Sequence, residues 1–372
     1  MTGSALDIFL ATHPGLEAVL AGELAEAGFA GPRVEAGGVT VSGGWREVWR
    51  ANLEIRGASR VLVRLDSFRA VHLAQLDKRA RKAGWAGVLR PDVPVRVDAV
   101  CRGSRIYHSG AAAERVATAI TETIGAPVRP DAALRVLVRI EDDLVTLSLD
   151  TSGELLHRRG HKQAVARAPL RESLAALFLR ACGYEAGESL LDPMCGSGTF
   201  VIEAAEIAAG LAPGRSRGFA FEQLANVDAE AWAQMREARG RPARTPQARF
   251  FGFDRDAGAI RMSAENAARA GVAAFTRFER GELRALRAPD APPGLVIVNP
   301  PYGARIGERK ALMPLYRTLG AVLRSGFSGW RVGIVTSDTA LAKATGLPFA
   351  EQGPPVDHGG LKIRLHRTAP LR

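Results

Sequence analysis

The sequence predicts an α/β protein: a doubly wound, mostly parallel sheet in the C-terminal half, preceded by a smaller α+β half. Three observations predict it. Short apolar runs at Phe250–Phe253, Leu295–Val298 and Val332–Val335 have the length of buried parallel strands. Helical stretches such as Ala257–Ala270 and Leu312–Leu323 separate them. A glycine-rich turn, Asp192–Gly198, sits between a strand entering at Ser189–Leu191 and a helix over Thr199–Ala209, whereas the N-terminal half has no turn of that kind.

Taken in order, Ile8–Thr12 reads as a strand. Pro14–Ala27 reads as a helix with Leu16, Val19, Leu20 and Leu24 on one face. Val34–Ser42 reads as a hairpin turning at Gly37-Gly38. Trp45–Arg56 is helical, Arg60–Leu65 and Val95–Val100 are strands, and Ser109–Thr123 is a helix with Ala112, Val116 and Ile120 inward. Leu134–Ile140 and Leu144–Asp150 form a hairpin around Asp142-Asp143. From Glu172–Cys182, an amphipathic helix, the α/β pattern begins. Gly210–Gln247, rich in Arg, Pro and Gly, reads as a surface excursion between the first two strands. Lys362–His366 reads as an antiparallel edge strand paired through Gly359-Gly360.

Length and composition bound the function. The 372 residues are 47% hydrophobic, enough for two or three ordered domains. No run of about 18 apolar residues suits a membrane span. The start, Met1–Ile8, lacks a cationic stretch and an apolar core, so no signal peptide is expected. Three scattered cysteines, Cys101, Cys182 and Cys195, fit a reducing cytoplasm and give no zinc spacing. No histidine pair has a metal spacing either, so no metal is expected. The formal charge of +11 suits a polyanionic partner, although only six of the 50 basic residues are lysine and a GC-rich genome also inflates arginine. Base is densest over Leu155–Arg171, where Arg158, Arg159, Lys162, Arg167 and Arg171 are candidate RNA contacts. A solvated connector is the plainer reading of the same residues. A second cluster, Lys78, Arg79, Arg81 and Lys82 beside Trp85, fits a solvated helix face equally well.

The turn Asp192-Pro193-Met194-Cys195-Gly196-Ser197-Gly198 lets the backbone approach a ligand closely. A triphosphate is a poor fit, because no Gly-Lys-Ser/Thr follows and Asp192 at the strand end would repel it. A carboxylate there suits the ammonium of a methionine moiety, and the loop amides suit its carboxylate. The next strand ends in Gly252-Phe253-Asp254, where Asp254 can accept both ribose hydroxyls. Glu282, after the third strand, is placed to meet an adenine amino group. Asp256 and Glu282 also read as helix N-caps. The fourth strand ends in Asn299-Pro300-Pro301-Tyr302. Two prolines stiffen this turn and remove donors. The Asn299 side-chain oxygen and the Pro300 carbonyl are then two acceptors suited to a planar NH₂ group, and Tyr302 can stack on a base.

Asn299–Tyr302 together with Asp192–Gly198 resembles the amino-directed class I methyltransferases. The likeness continues through Leu155–Arg159, Ala168–Glu172, Leu191–Thr199 with Ile202–Ala205, and Thr336–Asp338. These segments are similar to the THUMP-domain RNA guanine-N2 methyltransferases. Phe9–Leu24 and Gly37–Val39 resemble the start of the branch that acts on large-subunit ribosomal RNA. The resemblance implies a ferredoxin-like segment over 1–60, a THUMP domain over 61–152, a basic linker over 153–170 and a Rossmann-like methyltransferase domain over 171–372. It implies S-adenosylmethionine as cofactor, held by Asp192, Gly196 and Asp254, with Asn299, Pro300 and Tyr302 holding guanine. Glu282 stands where aspartate is commoner, and Gly303-Ala304-Arg305 lacks an acid that often follows the tetrad. The expected reaction is N2-methylation of a guanosine in 23S ribosomal RNA by a cytoplasmic monomer. The same chemistry on transfer RNA, adenine-N6 methylation, and a non-catalytic RNA-binding assembly factor are the alternatives.

Overall fold

The computed structural model describes residues 5–162, 170–247, 249–303 and 306–372, with backbone only for 306–309. The chain divides into two compact units. The first comprises residues 1–12, 20–156 and 217–238, and the second 13–19, 157–216 and 239–372.

One seven-stranded sheet organises the first unit. Its strands are β1 (Leu6–Ala11), β2 (Arg33–Glu35), β3 (Gly38–Gly43), β4 (Arg60–Arg69), β5 (Val95–Arg102), β6 (Leu134–Glu141) and β7 (Leu144–Asp150), in the order β2-β3-β1-β4-β7-β6-β5. Only the β5–β6 pair is parallel. Alternation decides the faces: Leu134, Val136, Val138 and Ile140 of β6 are buried while their neighbours are wetter. Helices α1 (Glu17–Glu26), α2 (Trp45–Glu54), α3 (Leu73–Ala80) and α4 (Ser109–Ile124) complete the layer set. The β6–β7 turn forms as the sequence predicts, with Asp142 and Asp143 at φ 50° and 63°. The β2–β3 turn lies one residue earlier than predicted, at Ala36-Gly37, because Glu35 pairs with Gly38. β4 continues to Arg69 rather than stopping at Leu65. A bulge between Arg64 and Asp66 carries the polar stretch Asp66-Ser67 through the ladder with β7.

The segment 210–247 is not a surface excursion throughout. Within the first unit Phe219, Phe221 and Trp232 are buried together with Trp49, and the Phe221 and Trp232 rings meet edge to face at 4.8 Å. Three large aromatics are burial enough to fix such a segment. They were hidden in the sequence by the arginines and glycines around them. Helix α7 (Ala229–Gly240) carries Trp232.

The second unit is an open sheet flanked by helices. After α5 (Glu172–Ala181) come β8 (Leu190–Asp192), α6 (Thr199–Ala209), β9 (Phe250–Asp254), α8 (Ala257–Arg269), β10 (Thr276–Arg280), β11 (Leu295–Val298), α9 (Ile306–Gly326), β12 (Arg331–Thr336), α10 (Thr339–Ala344), β13 (Phe349–Gln352), β14 (Val356–His358) and β15 (Leu361–Thr368). The order is β10-β9-β8-β11-β12-β15-β13. Strands β10 to β12 are parallel and β15 runs antiparallel to β12. The antiparallel strand is therefore present, but it is penultimate: β13 pairs along its outer side and takes the edge. The four residues of β11 are buried on both faces, which is why they read as a continuous apolar run.

Chain order reverses direction at β8. From it the sheet grows one way through β9 and β10, and the other way through β11 and β12. The carboxyl ends of β8 and β11 thus flank the topological switch point, the usual ligand position in open α/β sheets.

Candidate active site

Leu190 and Leu191 pair in parallel with Leu295 and Val296. Asp192 and Asn299 consequently leave adjacent strands at the same sheet edge. The loop after β8 is laced in place by hydrogen bonds. Asp192 Oδ1 accepts the Met194 N–H at 3.0 Å, and the Cys195 N–H reaches the Phe253 carbonyl at 2.8 Å. From α8, Ser263 donates to the Gly196 carbonyl at 2.8 Å and Asn266 to the Ser197 carbonyl at 3.1 Å. Gly196 and Gly198 have φ of 55° and 83°. A Cβ on Gly198 would also lie 3.1 Å from Ser263 Cβ, so the loop can press on α8 only with glycine there. Pro193 and Ser197 are buried and Met194 is half-buried against the core below.

Asp192 is 3% exposed and makes no ion pair among the described residues. Burial, with a smaller contribution from the Asp254 charge, pushes its carboxyl up to about 8. A buried acid without a cation is the partner an ammonium group lacks in water, and the site therefore fits the amino-acid end of a methionine-derived donor. Asp254 ends β9. Its Oδ2 accepts the Gly196 N–H at 3.1 Å and its Oδ1 the Asp256 N–H at 3.0 Å. Each oxygen keeps a second lone pair for a hydroxyl. Asp256, by contrast, caps α8 by accepting the Gly258 N–H. Gly281 N–H bonds the Asp254 carbonyl at 3.0 Å, which brings exposed Glu282 to the same rim.

At the β11 end, Asn299 Oδ1 is buried and accepts no hydrogen bond among the described residues. Such an orphan acceptor is costly, by about 1–3 kcal/mol, unless a ligand donates to it. Pro300 is buried, Pro301 exposed and Tyr302 half-buried beside the core. Burial raises the Tyr302 hydroxyl above its ordinary value. Tyr316, which the sequence reading did not single out, completes this turn from α9. Its hydroxyl donates to the Pro301 carbonyl at 3.3 Å and lies 3.2 Å from Thr336 Oγ1. Thr336 also accepts the Asp338 N–H at 3.2 Å. Tyr316 stands in the apolar stripe of α9 with Leu312, Leu319 and Leu323, and a hydroxyl in such a stripe is the signal that could have found it. Asn266 and Ser263 had no comparable signal.

The basic segment divides. Arg159, read as an RNA contact, has a side chain 1% exposed and pairs with equally buried Glu203 at 3.3 Å. Lys162 is also inward: its ammonium lies 2.9 Å from Thr199 Oγ1, 3.1 Å from the Leu170 carbonyl and 3.2 Å from Glu172. Both correct the expectation of phosphate contact. These charges serve the packing of the segment against α6 and α5, because a buried charge needs its partner nearby. Arg158 and Arg171 remain exposed. Arg167 lies outside the described residues, as do Ala304 and Arg305.

Among the described residues no group of three His, Cys, Asp or Glu side chains is placed to hold a metal, and no helix is long and apolar enough to cross a membrane.

Comparison with known proteins gives the family. Residues 159–355 match the RMKL-like methyltransferase domain family, and residues 7–62 match the RlmL ferredoxin-like domain. A relative from Syntrophotalea carbinolica, the ribosomal RNA large subunit methyltransferase K/L, is 40% identical over 96% of this chain and 53% of its own length. The chain spans about half the length of the curated relatives it matches. A solved structure from Listeria monocytogenes, titled a predicted N6-adenine-specific DNA methylase, is 27% identical with a TM-score of 0.88, covering 98% of this chain and 96% of that one. A methyltransferase solved in complex with S-adenosylhomocysteine shares the fold at 24% identity and a TM-score of 0.86 over 100% of both chains. S-adenosylmethionine is the donor of such a domain. The chain belongs to the RMKL-like methyltransferase family.

Proposed function

We propose that this protein methylates the exocyclic N2 of a guanosine in RNA, with 23S ribosomal RNA as the substrate and the cytoplasm as its place of work. The relatives named for large-subunit ribosomal RNA support the substrate. One observation carries the reaction: a buried carboxyl and an orphan amide oxygen, Asp192 and Asn299, end adjacent parallel strands at the switch point. Within this reading residues 61–152 act as the THUMP RNA-binding element, and Arg158 and Arg171 contact phosphate.

Bound S-adenosylmethionine supplies an electrophilic methyl group. Asp192 holds its ammonium, the loop amides its carboxylate, and Asp254 its ribose. Asn299 Oδ1 and the Pro300 carbonyl accept the two N–H groups of the guanine amine, so its lone pair is aimed at the methyl carbon. Tyr316 donates to the Pro301 carbonyl, whereas no described backbone N–H donates to the Pro300 carbonyl. Tyr302 stacks on the base, which has to leave any helix to reach this turn. The donor would supply a methyl carbon with a neutral thioether as leaving group. Asn299 Oδ1 and the Pro300 carbonyl would hold the nitrogen in line with it, and the proton lost from the methylated amine would pass to water. Alignment of this kind is worth up to about 7–11 kcal/mol, without a strong base.

The test is reaction with bulk RNA and isotopically labelled donor, followed by digestion and mass spectrometry of the nucleosides. Label in N2-methylguanosine from the ribosomal fraction is expected. Label in N6-methyladenosine, or only in transfer RNA, would replace the reading with one of its alternatives.

A further inference from the structure

Among the described residues of the first unit, one aromatic side chain stands in solvent. Tyr107 is 83% exposed, whereas Trp85, the aromatic beside the basic cluster Lys78–Lys82, is fully buried and donates its indole N–H to the Ala80 carbonyl. Exposed apolar side chains are ordinary when they sit on loose chain. Tyr107 does not. The loop between β5 and α4 is fastened to the β6–β7 turn at several points. Asp142 N–H bonds the Arg102 carbonyl at 3.2 Å, and Ser104 Oγ donates to that carbonyl at 2.7 Å. Asp143 N–H reaches Ser104 Oγ at 3.0 Å, and Arg105 N–H reaches Asp143 Oδ1 at 2.8 Å. Ile106, immediately before the tyrosine, is 5% exposed and anchors the loop in the core. His108, immediately after it, caps α4 by accepting the Ala111 N–H at 3.0 Å. The ring is thus held outward by fixed backbone on both sides.

Arginines surround this end of the sheet. Arg69, Arg102 and Arg105 are all exposed, and Arg69 also bonds the Asp142 carbonyl. Two carboxylates, Asp142 and Asp143, belong to the same turn. Asp143 is engaged by the Arg105 backbone and lies 4.0 Å from its guanidinium, which is itself 71% exposed. A third carboxylate, Glu141, is in register with Arg102 and is paired with Arg139, so the four arginines exceed the three carboxylates by one charge, and the Arg69, Arg102 and Arg105 guanidinium groups keep donors for a phosphate.

We propose that Tyr107 is a base-stacking platform for a single-stranded segment of RNA, with Arg69, Arg102 and Arg105 taking its phosphates. The inference rests on the RNA reading above and adds the place and mode of contact. Besides Tyr107 the exposed apolar side chains at this end are Leu144 and Val100, both aliphatic and about half exposed, so the surface offers one aromatic face among arginines, which suits a base better than the broad apolar centre of a protein interface. Fixed backbone reduces the ordering cost of stacking.

The test uses the full chain and a fluorescent oligouridylate of about twelve nucleotides, within the span such grooves cover. Tyr107→Ala is expected to weaken binding about tenfold and Tyr107→Phe to leave it within about twofold, since a phenyl ring still stacks. The log–log salt slope should be unchanged by Tyr107→Ala and shallower by about 0.7 in Arg105→Ala. Unaltered thermal melting of Tyr107→Ala separates lost contact from lost fold. Parent-like affinity in Tyr107→Ala, or no binding of the probe by the parent chain, overturns the platform. If the parent forms N2-methylguanosine while Tyr107→Ala binds normally, the platform alone fails. If Tyr107→Ala loses affinity while the parent forms no N2-methylguanosine, the reaction assigned above fails and the platform stands.

Discussion

The two turns at the switch point are built in opposite ways. The donor turn, Asp192–Gly198, is tied by backbone and side-chain hydrogen bonds from β9 and α8, so its shape exists before any ligand arrives. The acceptor turn, Asn299–Tyr302, is stiffened by covalent structure instead. Two prolines limit its backbone, Tyr316 ties one carbonyl, and the Asn299 oxygen has no donor among the described residues. A turn fixed by proline rather than by hydrogen bonds keeps its acceptors available for substrate. The difference suits the tasks: a cofactor common to every turnover meets a finished pocket, and the amine that must be aligned meets unsatisfied oxygens.

The contrast can be broken most sharply at Asn299. Asn299→Ala should lower turnover by about 100-fold or more, the scale of losing one oriented polar contact at a reacting group. Donor affinity measured by calorimetry should stay within severalfold, because the donor turn does not lean on Asn299. Asp192→Asn should do the reverse, weakening donor binding by about 10- to 100-fold through loss of a charged hydrogen bond. It should also raise the melting temperature of the ligand-free protein near pH 8. The sign follows from linkage. Folding lifts the Asp192 carboxyl from the ordinary carboxylate range to about 8. The folded state therefore binds the extra proton, and this residue's contribution to stability falls as pH rises through that window. The amide cannot ionise and removes the slope.

Donor affinity carries the same signature. Over the one to two pH units below about 8 it should improve by up to about tenfold per unit as Asp192 ionises, and level off below them. Above about 8 it should fall as the donor's own ammonium, with an ordinary value of about 7.7–8.0, loses its proton. Asp192→Asn should flatten the acid limb, and titration calorimetry across this range reads both. The smallest effect belongs to Tyr316→Phe. Losing one neutral hydrogen bond to the Pro301 carbonyl should cost turnover about fivefold with donor affinity unchanged. Equal losses in turnover and donor affinity would mean that Tyr316 supports the whole sheet edge rather than the acceptor turn.

Much of this was legible in the sequence. The glycines, the strand-ending acids and the paired prolines announce themselves because each is a residue type with few other uses at such positions. β11 and α6 fall where the apolar pattern places them. What escaped was context supplied by other parts of the chain. Tyr316 reads as one more apolar residue of an amphipathic helix until its hydroxyl is seen against Pro301. Arg159 and Lys162 read as surface charge because their partners, Glu203 and Glu172, are separated from them in sequence. Phe219, Phe221 and Trp232 were masked by their polar surroundings, and β13 became the sheet edge through a pairing that no local pattern encodes.

The most direct measurement is a crystal structure with S-adenosylhomocysteine bound. Its ammonium is expected within hydrogen-bond distance of the Asp192 carboxylate, its ribose on Asp254, and its sulfur facing the Asn299 oxygen across the carboxyl edge of β8 and β11. A nucleoside bound at the opposite edge of the sheet, or a sulfur turned away from Asn299, would contradict the assignment of these two turns.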